Sequence, residues 1–488
     1  MDNNSLKKST FTGILWKLAE RVGTQAVSLI VSIVLARLLT AEDYGVVGIV
    51  TIFFNLANVL ITSGFNTALI QKKDADEEDY SSVLYLTLAA SMLLYIILFF
   101  TAPLIAAAYS MPVLVSVLRV MGITVIINGV MSVVSAYVSS QLKFRKFFFS
   151  TIGGILVSAV VGIVMALRGF GPWALVAQQM TSTLIGTVIL LLTSKIKFVL
   201  RFSVQKIKGL FSYGWKILVS GIISTAYEET NPLIIGLRFS GADLSYYTKG
   251  RNFPALISNS VSDSLAAVLF PVISKVQDDM EAVLRYTRRF IRVSSYLIFP
   301  IMFGFIAVSD NFVRVVLTEK WLPASIYIQI FCLSYMFMMI QNGNLQAIRA
   351  IGRSDIILIL EIVKKSLYFI VILLFVLFSD KPELLAVAMV INTLLATLIN
   401  TFPNRRLIGY RYRMQIADLL PNFLLALVMG AVVYSMNFIE MNTFLLLILQ
   451  LIAGVGIYLI LSILTKNESF SYLLGYLKGF ISKKGETK

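Results

Sequence analysis

The run LEIVKKS at 360–366 sets one carboxylate and two ammonium groups inside a stretch otherwise suited to hydrocarbon. Glu361 stands three residues before Lys364 and four before Lys365, so on a helix all three share one face. A charge at membrane depth costs roughly 2.5–3.5 kcal/mol on insertion scales and persists only with a partner, water or a use. Counted from Ser354 at about 1.5 Å per residue, Lys365 would lie about 15 Å deep, near the bilayer centre. Glu361 can neutralise one lysine, which leaves one cation available to bind an anion. A purely structural ion pair is the competing reading.

Other charges raise the same question. Arg119, in VLRVMG, falls about 10 Å from the end of its apolar segment, with no acidic residue on that segment. Its partner must come from another helix or from a bound molecule. Lys249 and Arg251 lie early in a later segment. Glu228 and Glu229, in TAYEETNPL, precede Asn231 and Pro232. A proline there frees a backbone carbonyl and can break the helix into a site that water reaches. A carboxylate in such a site could take up a proton or a sodium ion. It could equally neutralise Lys249 or Arg251 from the neighbouring helix.

Polar stripes accompany these charges. Asn55, Thr62 and Asn66 are spaced by seven and four, as are Asn252, Asn259 and Asp263, and each spacing fits one helical face. Gln341 and Asn342 add amides that could meet sugar hydroxyls. Small polar residues also hold transmembrane helices together, so a single stripe can be packing alone. Two matching stripes favour a shared hydrophilic cavity. They follow a repeated turn, LARLLTAEDYGVVGIV at 35–50 and LRFSGADLSYYTKG at 237–250, which suggests two homologous lobes.

The elements that must position these groups are membrane helices. Of 488 residues, 58% are hydrophobic and 14% charged, with a mean hydropathy of +0.83. That composition calls for lipid as solvent. With no histidine and a single cysteine, Cys332, an intrachain disulfide is excluded and no metal site is expected. No cofactor is implied beyond a coupling ion, proton or sodium. The net charge of +16 does not point to nucleic acid, because the basic residues cluster in short loops between apolar runs.

Those runs predict about fourteen transmembrane helices, near 13–38, 44–70, 81–108, 112–141, 148–167, 172–193, 211–237, 244–272, 287–308, 323–348, 354–378, 383–402, 415–436 and 442–465. The expected organisation is an N-lobe at 1–194 and a basic cytoplasmic linker at 195–210. A C-lobe at 211–404, two further helices at 405–465 and an amphipathic tail at 466–488 complete it. Basic residues at the N-terminus, Lys143, Arg145, Lys146, the linker, Arg285, Arg288, Arg289 and Arg405–Arg413 fall in every second loop. This bias predicts both termini in the cytoplasm. The linker and tail read as surface segments on an anionic leaflet.

The order of motifs resembles a known family. LARLLTAEDYGVVGI, SGFNTALIQKK and DADEEDYSS are followed by SQLKFRKF, FSYGWKILVSGI and AIGRSDIILILEIVKK. Together they look like Wzx-type polysaccharide exporters, nearest the colanic-acid and teichuronic-acid branch, over essentially the whole chain. The resemblance implies the multidrug/oligosaccharidyl-lipid/polysaccharide (MOP) fold: an all-α polytopic protein with two six-helix lobes in a V and two C-terminal helices. It implies a bacterial plasma-membrane flippase for undecaprenyl-pyrophosphate-linked oligosaccharides, serving cell-surface polysaccharide synthesis. The polymerase and chain-length machinery are implied partners. A pyrophosphate would need cations, for which Arg119, Lys249, Arg251, Lys364 and Lys365 are candidates. Glu228, Glu229, Asp263 and Glu361 are candidate coupling carboxylates. A multidrug or lipid II transporter is the near alternative. A membrane polymerase or ligase is the enzyme alternative, disfavoured by the absence of a large external loop.

Overall fold

The computed structural model describes residues 3–72 and 74–475. In chain order its helices are α1 (Asn3–Leu38), α2 (Ala41–Thr62), α3 (Phe65–Gln71), α4 (Glu77–Ala108), α5 (Val113–Ser140), α6 (Arg145–Leu167), α7 (Pro172–Ser194) and α8 (Val204–Arg238). Then come α9 (Gly241–Ser274), α10 (Met280–Phe312), α11 (Ala324–Ala350), α12 (Ser354–Phe378), α13 (Pro382–Thr401), α14 (Asn404–Leu407), α15 (Tyr412–Ser435) and α16 (Thr443–Leu464). Among the described residues there is no strand. Each coincides with an expected apolar run except the short α14, and the run expected near 44–70 is divided between α2 and α3.

Among the described residues, 11 of these helices can cross a membrane by length and composition, against the fourteen expected. Two that fall short, α8 and α12, are too polar: α8 carries Glu228, Glu229 and Asn231, and α12 carries Glu361, Lys364 and Lys365. The side chains of 263–272 in α9 lie outside the described residues, so its second half does not contribute to that figure.

The chain forms two compact units that divide between Ser245 and Tyr246. In the first, α6 packs on α1 and α7, α5 on α2, α4 and α7, and α8 on α2, α3 and α4. The repeated turn proves to be a repeated helix cap. Thr40 Oγ1 accepts from Asp43 N at 3.2 Å while Asp43 Oδ2 accepts from Thr40 N at 2.9 Å. Two hundred residues later Ser240 and Asp243 exchange the same pair of bonds, each at 3.0 Å. Both boxes satisfy amide donors left over at a helix start. The two turns also touch. Ser245 Oγ donates to the Ala41 carbonyl at 2.6 Å, and a Cβ on Gly45 would lie 2.3 Å from the Gly241 oxygen.

The segment 195–203 is pinned to the start of α4. Ser81 Oγ accepts from Val199 N and Ser82 Oγ from Ser203 N, at 2.9 and 3.0 Å. Lys206 then bridges Asp76 and Glu78, at 2.6 and 2.8 Å. Hydrogen bonding from Lys206 holds the Asp76 carboxyl at about 2, below its ordinary 3.8. The contact therefore contributes fully above pH 3.8 and is lost as the pH falls towards 2.

In the second unit α10 packs against α11, α15 and α16, while α13 packs against α11 and α12. Two buried polar clusters hold it together. Asn344, Thr401, Asn404 and Gln415 join α11, α13, α14 and α15 through side-chain hydrogen bonds of 2.7–3.4 Å. Asp418 receives Arg288, Arg292 and Tyr410. Residues 468–475 form a further helical stretch, and the remainder of the expected tail, 476–488, lies outside the described residues.

Gly45→Val should overpack the contact between the repeated turns, costing about 1–3 kcal/mol. Gly48→Ala would meet Leu244 only at 3.5 Å and should be neutral. Thermal unfolding of the detergent-purified variants reads the difference, and an unchanged midpoint for Gly45→Val would refute the close approach.

Candidate functional site

In the first unit the polar groups gather where α2, α5 and α8 adjoin. Asn55 Nδ2 donates to Glu229 Oε1 at 2.8 Å, and Asn128 Nδ2 donates to Asn58 Oδ1 at 3.0 Å. These bonds tie α2 to α8 and to α5. Asn58 and Asn128 were not singled out from sequence; the i, i+3 spacing of Asn55 and Asn58 was the available signal. Glu228 is exposed beside this pair, and Asn231 is only 1% exposed. Neither side-chain atom of Asn231 meets a partner among the described residues.

Two expectations change here. The stripe Asn55, Thr62, Asn66 does not run along one helix. The chain breaks at Ser63–Gly64, where Gly64 takes a φ of 91°, so Asn66 belongs to α3. Thr62 Oγ1 turns back onto the Asn58 carbonyl at 2.8 Å. The break suits a crossing in which a Cβ on Gly214 would lie 2.9 Å from the Gly64 carbonyl carbon. Conversely, α8 runs unbroken through Pro232. One proline removes a single intrahelical hydrogen bond, and the rest of the ladder keeps the helix continuous.

Arg119 finds its partner on α4. Its guanidinium sits 4.2 Å from the Phe99 ring centroid, and Nε donates to the Phe99 carbonyl at 3.3 Å. A ring face and a carbonyl stabilise the cation without neutralising it.

In the second unit Lys249 is 8% exposed, with its ammonium 5.7 Å from the Trp321 ring centroid. Arg251 is half-buried two residues on, and Asn252 and Asn259 are exposed on α9. The Asp263 side chain lies outside the described residues. On α12, Lys364 pairs with Glu361 at 2.5 Å, while Lys365 beside it is half-buried. Gln341 donates to the Thr393 carbonyl and Thr397 Oγ1, at 3.0 and 3.2 Å, which binds α11 to α13. Asn342 reaches Ser262 on α9 at 3.4 Å. Both amides thus take part in interhelical packing.

Long apolar helices, with polar and charged groups concentrated on a few of them, define a multi-pass membrane protein. Solved structures of like fold include the lipid II flippase MurJ in an inward closed conformation, with a TM-score of 0.76, 18% identity, and coverage of 93% of this chain and 99% of that one. An inward-facing multidrug resistance MATE family transporter of the MOP superfamily follows at TM-score 0.61 and 14% identity, over 79% of this chain and 94% of the other. The chain therefore shares the fold of these two proteins.

The chain belongs to the polysaccharide biosynthesis protein family, which it matches over residues 34–326. Among curated relatives, the teichuronic acid biosynthesis protein TuaB of Bacillus subtilis is 22% identical over 96% of this chain and 98% of its own length. The lipopolysaccharide biosynthesis protein WzxC of Escherichia coli is 22% identical over 89% of each chain. The succinoglycan biosynthesis transport protein ExoT of Rhizobium meliloti is 24% identical, and this chain spans 64% of its length. These relatives agree with the polysaccharide-exporter resemblance, and with a transporter rather than an enzyme.

Glu361→Gln should destabilise the protein by about 1–2 kcal/mol by leaving Lys364 without its carboxylate. Adding Lys364→Met should restore most of the loss. Thermal unfolding of the two singles and the double gives the coupling, and strict additivity would show that the pair is energetically idle.

Proposed function

We propose that this protein is a flippase that carries undecaprenyl-pyrophosphate-linked oligosaccharide repeat units from the cytoplasmic to the outer leaflet of the bacterial plasma membrane. The observation that carries the proposal is membership of a polysaccharide biosynthesis family with a MOP fold, combined with cations on its polar helices. Lipid-linked glycans present a polyanionic pyrophosphate that must lose water on the way across. Arg119, Lys249, Arg251 and Lys365 can replace that water, and guanidinium forks suit phosphate oxygens. Lys364 contributes less because Glu361 already balances it.

Exchange of access would follow alternating movement of two lobes, 1–194 and 211–404, linked by 195–210 and extended by 405–465 and the tail 466–488. Both termini lie in the cytoplasm on the positive-inside bias. The bond between Asn55 and Glu229, with Glu228 and Asn231 nearby in sequence, is the proposed point at which a proton or sodium ion couples to transport. Exposed Asn252 and Asn259 are proposed to face the sugars. The polymerase and chain-length machinery would receive the product.

Deletion of the gene should cause one lipid-linked oligosaccharide to accumulate in the cytoplasmic leaflet, and its identification by mass spectrometry names the glycan. Accumulation of lipid II, or of no lipid-linked sugar, would reject the proposal. Lys365→Ala and Arg119→Ala should each insert normally but reduce surface polysaccharide at least tenfold. Full export from both would remove these cations from the mechanism.

A further inference from the structure

The basic end of α10 holds a cluster that the transport proposal does not use. Arg285, Arg288, Arg289 and Arg292 are spaced by three, one and three, so they share one side of the helix. They line a cavity of about 470 Å³, closed on another side by Glu468, Ser469 and Tyr472 beyond the end of α16.

Arg288 and Arg292 are fixed from behind. Both converge on Asp418, whose side chain is fully buried. Arg288 donates through Nε and a terminal nitrogen at 2.8 Å each, and Arg292 does so at 2.8 and 2.6 Å. Tyr410 Oη adds a bond to the same carboxylate at 2.8 Å. One negative charge thus orients two guanidinium planes and leaves a positive surplus. Arg292 also pairs with the exposed Glu468. Arg289 lies 4.7 Å from the Tyr472 ring centroid, and Arg285 is exposed at the rim.

Among the cavity-lining side chains, four arginines outnumber two carboxylates, Glu281 and Glu468. A topology signal needs basic residues at this end of a helix, but it does not need them oriented around a cavity by a buried aspartate. The Arg288 terminal nitrogen that Asp418 does not engage, with the guanidinium groups of Arg285 and Arg289, can meet phosphate oxygens. Leu284 and Val293 supply apolar wall beside them, where a glycerol and the first methylenes of an acyl chain would lie. The site stands at the end of a membrane helix, where phospholipid headgroups reside.

We propose that this cavity binds the phosphate of an anionic phospholipid headgroup. Glu468 competes for the same arginines, so a bound phosphate would weaken its hold on Arg292. The tail itself would remain anchored through Asn467, which donates to Asn422 Oδ1 at 2.9 Å.

The test uses full-length protein in detergent, with bound lipids counted by native mass spectrometry during titration with phosphatidylglycerol or phosphatidylcholine. Arg285→Gln/Arg289→Gln leaves the Asp418 pairs intact and should bind phosphatidylglycerol about tenfold more weakly than wild type, with phosphatidylcholine unchanged. Glu468→Gln should bind it more tightly. The double variant Arg405→Gln/Arg406→Gln, which removes equal charge from another exposed site, should match wild type. An equal loss in that control, or none in the α10 variant, overturns the proposal. A parallel arm measures stabilisation by inorganic pyrophosphate. Dependence on Arg285 and Arg289 in that arm alone would overturn the lipid assignment in favour of a soluble phosphate compound.

Discussion

A polar group inside hydrocarbon is costly unless it finds a partner within the protein, and this constraint organises the molecule. Water cannot satisfy an amide or a carboxylate at that depth. The answers differ with the group. Asn58 and Asn128 pair with one another across two helices, Glu361 balances Lys364 within one helix, and Arg119 rests on an aromatic face and a carbonyl. Asp418 is shared by two arginines, so a buried anion is fully compensated. Polarity is therefore placed where helices meet, and those meetings are also the candidate binding groups.

The repeated turn shows the same economy of means. Thr40 with Asp43, and Ser240 with Asp243, cap two helices in the same way. Small residues at Gly45 and Gly241 then let the two capped ends come into contact, and Ser245 hydrogen-bonds across. Capping removes the unsatisfied donors that would otherwise forbid such an approach. Duplication of the sequence thus appears in the structure as a contact between like ends.

Charge at the helix ends has two kinds of consequence. Lys206 joins the linker to the acidic start of α4, a link between chain segments that lies open to solvent. On α10, Arg288 and Arg292 are instead held beside a cavity by the buried Asp418. Both sets read alike in the sequence, as basic residues in a loop or at a helix start.

The helices themselves were legible because hydropathy is a local property. The apolar runs became helices, and LEIVKKS yielded its Glu361–Lys364 pair because three-residue spacing fixes proximity on a helix. The motif order likewise indicated the polysaccharide biosynthesis family. Local spacing did not reveal the break at Gly64 that removes Asn66 from the α2 stripe, nor the continuity of α8 through Pro232. The break at Gly64 goes with what packs against it, the close approach of Gly214. Glu229 with Asn55, and Arg288 and Arg292 with Asp418, are separated by more than a hundred residues. Sequence determined which groups would need partners, because desolvation cost belongs to the residue type. Tertiary structure chose the partners, because hydrogen bonds and ion pairs act over a few ångströms of space, however distant the residues are along the chain.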